Sequence, residues 1–288
     1  MSSIPYPLDP MGSTNRGSYF ELVVKPGILA SGLTYGFTPS WSAGGYCKVV
    51  DWGDGSNGDA VTSGALIKHT YAAAGTYTIL IKAYCYKCMF GYNNTYAPLI
   101  YDANGNWDAL GNITNGSNMF QNCTKATLPL TSLPDGLTNA TGMFQNCTNA
   151  TLPLTSLPAG LTRANSMFYR CTNATLPLTS LPDGLTRAVS MFRNCTNATL
   201  PLTSLPDGLT SGSYMFIYCK KAVINLDELA ANAPEGGWTG VTSIESMFYN
   251  AGSGNSPGTV TGSRSAFLSK LPNVTDTTDA FYGTNTTE

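Results

Sequence analysis

The chain is short of charge. Of its 288 residues, 11% are Asp, Glu, Lys or Arg, against roughly 25% in ordinary soluble domains. The net charge is -2, with neither sign gathered into a tail. Binding to nucleic acid normally needs a basic stripe, so no nucleic-acid partner is expected. No apolar run approaches the ~18 residues of a membrane helix, so no membrane insertion is expected. The chain has one histidine, His69. A catalytic triad needs a nucleophile, a base and an orienting acid, and His69 would have to serve from within a predicted strand. The recurring acids Asp135, Asp183 and Asp207 occupy one turn of successive repeats, too regular to form the tuned pair of a glycoside hydrolase. There is no phosphate-binding P-loop and no dinucleotide glycine fingerprint. The chain is therefore expected not to be an enzyme and to need no cofactor. Its first twenty residues, "MSSIPYPLDPMGSTNRGSYF", lack the basic start, apolar run and small-residue cleavage site of a signal peptide.

Gly, Pro, Asn, Thr and Ser fill the space that charge leaves. They favour turns and short strands over long helices. Residues 1–18, with Pro5, Pro7 and Pro10, are expected to form an extended arm. Residues 19–100 read as strands. "YFELVV" (19–24) is β-rich, "YCKVVDWGDG" (46–55) runs into an Asp-Gly turn, and "IKHTYAAAGTYTILIKAY" (67–84) holds two β-rich runs around an Ala-Gly bend. Short strands at this spacing predict a β-sandwich. "DWGDGSNGD" (51–59) places its acids at the wrong intervals for an EF-hand loop and reads better as a plain turn. Cys47, Cys85, Cys88 and His69 leave three readings open: a Cys₃His zinc site, a disulfide, or free thiols. A C-x-x-C on an alternating strand is expected to point its two thiols to opposite faces.

From residue 119 the chain repeats. Met-Phe occurs at 119–120, 143–144, 167–168, 191–192 and 215–216, then at 247–248, with Ala-Phe at 266–267 and 280–281. The 24-residue unit is M-F-x-x-C-T-N-A-T-L-P-L-T-S-L-P-D-G-L-T-x-A-x-x. One such unit cannot bury its own apolar side, so copies must stack. The expected architecture is mostly β: a sandwich followed by a solenoid whose strands lie about 4.8 Å apart. Its inside would be lined with Leu, Met-Phe and a buried thiol ladder. The expected boundaries are a linker or cap at 101–118, regular repeats at 119–246, and degenerate repeats with a terminal cap at 247–288. The sequons at Asn122, Asn146, Asn149 and Asn173 follow from the Asn-Thr content of the unit and carry no glycosylation message of their own.

What varies between copies is the tract around Met-Phe. In a stack these positions align into one stripe. It collects Arg163, Asn165, Tyr169, Arg170, Arg187, Arg193, Asn194, Tyr214 and Tyr218. Exposed positions that packing does not police can drift freely. Arg and Tyr are also the residue types that dominate binding hot spots, so the stripe is the candidate ligand-binding face. No metal site is expected there.

Two resemblances bear on this reading. "VVDWGDGS" followed by "HTYAAAGTYTILI" resembles the polycystic-kidney-disease (PKD) domain. That resemblance implies an immunoglobulin-like sandwich in which Asp51, Trp52, Gly53, Asp54 and Gly55 form a turn and His69, Tyr71, Gly75 and Tyr77 belong to later strands. The 24-residue unit resembles the BspA-like leucine-rich repeat, with Ala126, Ala150, Ala174 and Ala198 standing where Leu is usual. Together they imply a scaffold carrying a recognition solenoid. The expected role is attachment to a cell-surface glycan or protein by a phage fibre or decoration protein, at the virion surface, with residues 1–18 joined to other virion or envelope proteins. The alternatives are a bacterial surface adhesin, extracellular or at the cell surface, and a structural spacer. Attachment fibres are commonly homo-oligomers, although no coiled-coil heptad marks one here.

Overall fold

A computed structural model of the chain describes residues 18–27, 33–58, 62–91, 95–253 and 259–288. The arm expected over 1–18 lies outside the described residues apart from Ser18. The fold is mostly β with few helices. Seven strands precede the repeats: β1 (Phe20–Val24), β2 (Thr34–Ser40), β3 (Tyr46–Asp51), β4 (Ile67–Thr70), β5 (Tyr77–Tyr84), β6 (Lys87–Met89) and β7 (Ile100–Ala103). They form two sheets, ordered β3-β5-β1-β7 and β4-β2-β6, and every pairing is antiparallel. β1 shows why: Phe20, Leu22 and Val24 are buried while Glu21 and Val23 are half-exposed, the period-2 pattern of a one-sided strand.

The two runs around the Ala-Gly bend are β4 and β5, and they belong to different sheets. The bend therefore carries the chain across the core instead of closing a hairpin. β2 divides its pairing: residues 34–37 meet β4 and residues 38–40 meet β6. Pro39, which has no N–H, falls after the β4 ladder has ended.

The turn after β3 is built on Asp51, whose carboxylate accepts the amides of Gly53 at 2.7 Å and Gly55 at 3.1 Å. His69 stacks on Trp52 at 5.1 Å and meets Tyr71 edge-on at 4.6 Å. The Tyr71 hydroxyl donates to the Trp52 carbonyl at 3.0 Å. His69 Nε2 lies 2.8 Å from the Asp54 carboxylate. Among the described residues, no group of three or more His, Cys, Asp or Glu side chains is placed to hold a metal ion. The C-x-x-C segment corrects the opposite-faces expectation. β5 ends at Tyr84 and the chain bends at Tyr86 before β6 begins. The bend brings Cys85 Sγ and Cys88 Sγ to 3.0 Å, both buried.

The repeats lie copy against copy. Parallel one-residue bridges join Asn115 to Asn139, Asn139 to Arg163, Arg163 to Arg187 and Arg187 to Ser211. The Phe120, Phe144, Phe168 and Phe192 amides each donate to the Met carbonyl of the following copy, at 2.9–3.0 Å. Phe120, Phe144, Phe168, Phe192, Phe216 and Phe248 form one column with centroids 5.5–5.7 Å apart and rings within 8° of parallel. Phe90 begins this column from the sheet side, 5.5 Å from Phe120, so sheets and repeats share one continuous core.

The leucine-rich tract that follows the Cys of each 24-residue unit, residues 124–138 in the first copy, is not a strand. Residues 127–138 hold no strand, only a bend at Thr131 and a turn at 135–136. Alternating leucines imitate a strand there, but Pro129 and Pro134 cannot donate to a ladder and Leu128 takes the left-handed conformation at φ 39°. Leu152, Leu176 and Leu200 repeat that conformation at φ 40–41°. The threonines join the copies instead. Thr162, Thr186 and Thr210 each donate both amide and hydroxyl to the carbonyl of the equivalent Thr one copy back. All five repeat cysteines are buried. The thiols of Cys147, Cys171, Cys195 and Cys219 donate at 2.8–2.9 Å to Phe carbonyls 27 residues earlier. Burial pushes the Cys219 thiol far above its usual range, as expected for an inert packing thiol.

At the far end, β8 (Val223–Asn225) pairs in parallel with β9 (Thr259–Thr261). Two short helices follow these strands. α1 (Leu226–Ala231) is capped by the Asn225 side chain, and α2 (Arg264–Leu268) by Ser263. The two Ala-Phe pairs part ways here. Phe281 continues the column, 5.8 Å from Phe248. Phe267 lies in α2 and meets Phe248 edge-on, so residues 266–267 are not a repeat unit.

Candidate recognition surface

Every copy turns sharply around its Met-Phe pair, and the turn needs two left-handed residues. The residue before the Met, or before Ala280 in the last copy, takes φ of 49–62° in Asn118, Gly142, Ser166, Ser190, Tyr214, Ser246 and Asp279. The second residue after the Phe takes φ of 50–70° in Asn122, Asn146, Arg170, Asn194, Tyr218, Asn250 and Gly283. Gly and Asn adopt this conformation at small cost, whereas bulky residues do not. Most copies comply, but Arg170, Tyr214 and Tyr218 do not, and all three belong to the predicted stripe. The turn fixes where these side chains stand, and they stand at a local backbone cost.

Between those two positions, the residue just after each Phe runs along the stack. The carbonyls of Tyr169, Arg193, Ile217, Tyr249 and Tyr282 accept in turn from Asn146, Arg170, Asn194, Tyr218 and Asn250 at 2.7–3.0 Å. That places Tyr169, Arg193, Ile217, Tyr249 and Tyr282 in five consecutive copies on one surface. Ile217 is buried, and the other side chains touch in two groups on either side of it. The Arg193 guanidinium lies between two rings, 5.7 Å from Tyr169 and 5.7 Å from Tyr214. Arg170 lies 5.9 Å from the Tyr169 ring. Farther along, Tyr218 meets Tyr249 edge-on at 5.7 Å, and Tyr249 stacks on Tyr282 at 4.8 Å. The Tyr282 side chain is the most open large hydrophobic among the described residues, at 59% exposure.

The electrostatics match. Arg193 Nε is buried with no hydrogen-bond partner among the described residues. A hydrogen bond to Glu245 raises the Tyr214 hydroxyl above its ordinary pKa. Beside Arg170 runs a shallow groove of about 450 Å³, lined by Asn122, Asn146, Thr124, Thr148, Thr172 and Pro98. Asn146 Nδ2 donates to Asn122 Oδ1 at 2.7 Å along its wall.

The remaining stripe residues divide. Arg163 and Arg187 are neighbours in the bridge column and exposed. They occupy a position that elsewhere makes a side-chain turn: Asn115, Asn139, Ser211, Ser243 and Asp276 each accept the amide two residues on. Arginine cannot accept. At Arg187 the deficit is met from the preceding copy, where Asn165 Oδ1 accepts the Val189 amide at 3.0 Å. Asn165 therefore has a structural role, and Asn194 is one of the compliant left-handed residues. Tyr249 and Tyr282 are the residues that sequence periodicity missed, because the steps to them are 32 and 33 residues instead of 24. The signal available was the Phe-Tyr pair at 248–249 and 281–282. No protein-family model, curated protein or solved structure matches the chain.

Proposed function

We propose that the chain is a non-enzymatic attachment protein that binds a glycan at a cell surface through the arginine–tyrosine strip. In this reading a PKD-like, immunoglobulin-like sandwich carries a BspA-like leucine-rich-repeat solenoid. The whole is a fibre or decoration component of a phage virion, held to the particle through residues 1–18. One observation carries the reading: charged and aromatic side chains meet in two groups, Arg170, Tyr169, Arg193 and Tyr214, then Tyr218, Tyr249 and Tyr282, three of them in left-handed positions that the neighbouring copies give to Asn or Ser. Tyr rings supply flat faces for sugar rings. Guanidinium groups fork onto carboxylate or phosphate. Extended polymers suit a strip that repeats along one direction, since each weak contact adds to the last.

The test is a binding screen of the full chain against purified envelope polysaccharides. It compares wild type with a variant carrying Arg170→Ala, Arg193→Ala and Tyr282→Ala. Binding of at least one acidic polymer, weakened tenfold or more in the variant, is expected. Equal binding by the variant removes the strip as the contact, and silence across all polymers leaves a spacer role.

A further inference from the structure

Cys85 and Cys88 stand apart from the other thiols. Four of the repeat cysteines point their Sγ at a backbone carbonyl one copy back. Cys85 and Cys88 point at each other, Sγ to Sγ at 3.0 Å. Their segment is also the joint of the molecule. The Tyr86 carbonyl between them accepts two amides, from Thr114 at 3.1 Å and Asn115 at 2.9 Å, at the start of the repeats. The Cys85 amide donates to the Leu110 carbonyl at 3.1 Å. Just beyond β6, the Phe90 and Gly91 amides both donate to the Met119 carbonyl at 2.9 Å. Cys88 itself pairs with Pro39 in the three-stranded sheet. Whatever fixes residues 85–88 therefore fixes where the sheets meet the first copy.

We propose that Cys85–Cys88 is a cross-linking site: the two thiols close to a disulfide that staples the joint between the sheets and the repeats. The bend at Tyr86 has already brought the sulfurs into contact, so closure needs a movement of about 1 Å to reach a bond length near 2.05 Å. The reaction is thiol–disulfide exchange with a small disulfide such as oxidised glutathione. One cysteine thiolate attacks it, releasing one thiol and leaving a mixed disulfide. The second cysteine attacks that sulfur, releasing the second thiol. Two protein thiols are oxidised, one external disulfide is reduced to two thiols, and the protons pass to the released thiolates. The contact with Cys85, together with burial, holds the Cys88 thiol well above its ordinary pKa. Attack is consequently slow in the closed protein, and the bond forms most readily as the chain folds. Cys47 is also buried in this core, near enough to act electrostatically on both thiols, but no hydrogen bond joins its sulfur to either.

The experiment refolds the full chain in a glutathione redox buffer, quenches with acid, alkylates the remaining thiols in denaturant, and maps the peptides by mass spectrometry. Six of the eight cysteines should alkylate, with the peptide spanning 85–88 lighter by two hydrogens. Cys47→Ser should leave that outcome unchanged, and Cys88→Ser should restore alkylation of Cys85. The native fold spares the pair the entropy of closing a four-residue loop. The cross-link should therefore be favoured roughly twentyfold more in the folded chain than in urea. Hydrogen exchange at Thr114 and Asn115 should slow when it forms. Eight alkylated cysteines after refolding, a bond to Cys47, a stable mixed disulfide, or equal cross-linking in folded and unfolded chains would each overturn the proposal.

Discussion

Replacing Arg170 by Asn should make the protein more stable and a poorer binder. Arg170 sits at φ 61°, the value Asn146 and Asn194 adopt in the copies on either side. The left-handed conformation costs a non-Gly residue about 1–2 kcal/mol, and Asn relieves part of that, roughly 0.5–1 kcal/mol. An Asn there would also extend the amide ladder that runs from Asn146 to Asn122 at 2.7 Å, worth about 0.5–1.5 kcal/mol. Against these gains stands the exposed contact of Arg170 with Tyr169, about 0.5 kcal/mol. The balance favours Asn by about 1 kcal/mol. Urea unfolding followed by fluorescence would read the change as a higher midpoint at constant slope, beside the polysaccharide assay on the same sample. A midpoint that falls would refute the claim that Arg170 costs stability. With that claim would go the argument that the strip is held against local preference.

Phe168→Ala should cost about 3–5 kcal/mol, since it opens the column where Phe168 contacts Phe144 and Phe192 at 5.7 and 5.6 Å and leaves a cavity that rigid neighbours cannot fill; a loss under 1 kcal/mol in urea unfolding would contradict the stack. Asn165→Ala should cost about 1 kcal/mol by leaving the Val189 amide without its acceptor, and Arg187→Asn should rescue it by supplying a local one; a double-mutant cycle showing no coupling would refute that account. Partial burial pushes the Asp54 carboxyl up, but hydrogen bonds from Ser56 and from His69 outweigh it and lower its pKa to about 2. The resulting stability is present above the ordinary carboxylate value near 4 and is lost as pH falls through 2, so Asp54→Asn should flatten the acid limb of the unfolding curve between those values.

The parts of the fold that depend on a fixed period were legible in the sequence. Phe120, Phe144, Phe168 and Phe192 form the column because one phase brings each to the same place, and the buried cysteines follow the same phase. The strand expectation failed inside the tract. Leucine alternation at 128 and 130 looks like a strand, and only the left-handed Leu128 and the missing Pro N–H groups decide otherwise. Cys85 and Cys88 were expected to diverge because the bend at Tyr86 leaves no mark in local composition. The strip was half legible. Tyr169, Arg193, Tyr214 and Tyr218 share the phase, but the insertions before Phe248 and Phe281 hide Tyr249 and Tyr282. The role of Asn165 was hidden because its partner is an amide on the next copy.

The threonine contacts have a consequence for how such a chain can change. The threonine contacts that one copy makes with the next are the same from Thr138 to Thr210. Excising 24 residues in register would rejoin matching threonine contacts and leave the aromatic column unbroken, at the cost of the Val189 amide's acceptor where the copy lost is the one that holds Asn165. Length can therefore be gained or lost in whole units by recombination within the coding sequence, without passing through an unfoldable intermediate. Each such event would add or remove one rung of Tyr or Arg, so reach and grip would be adjusted in the same step.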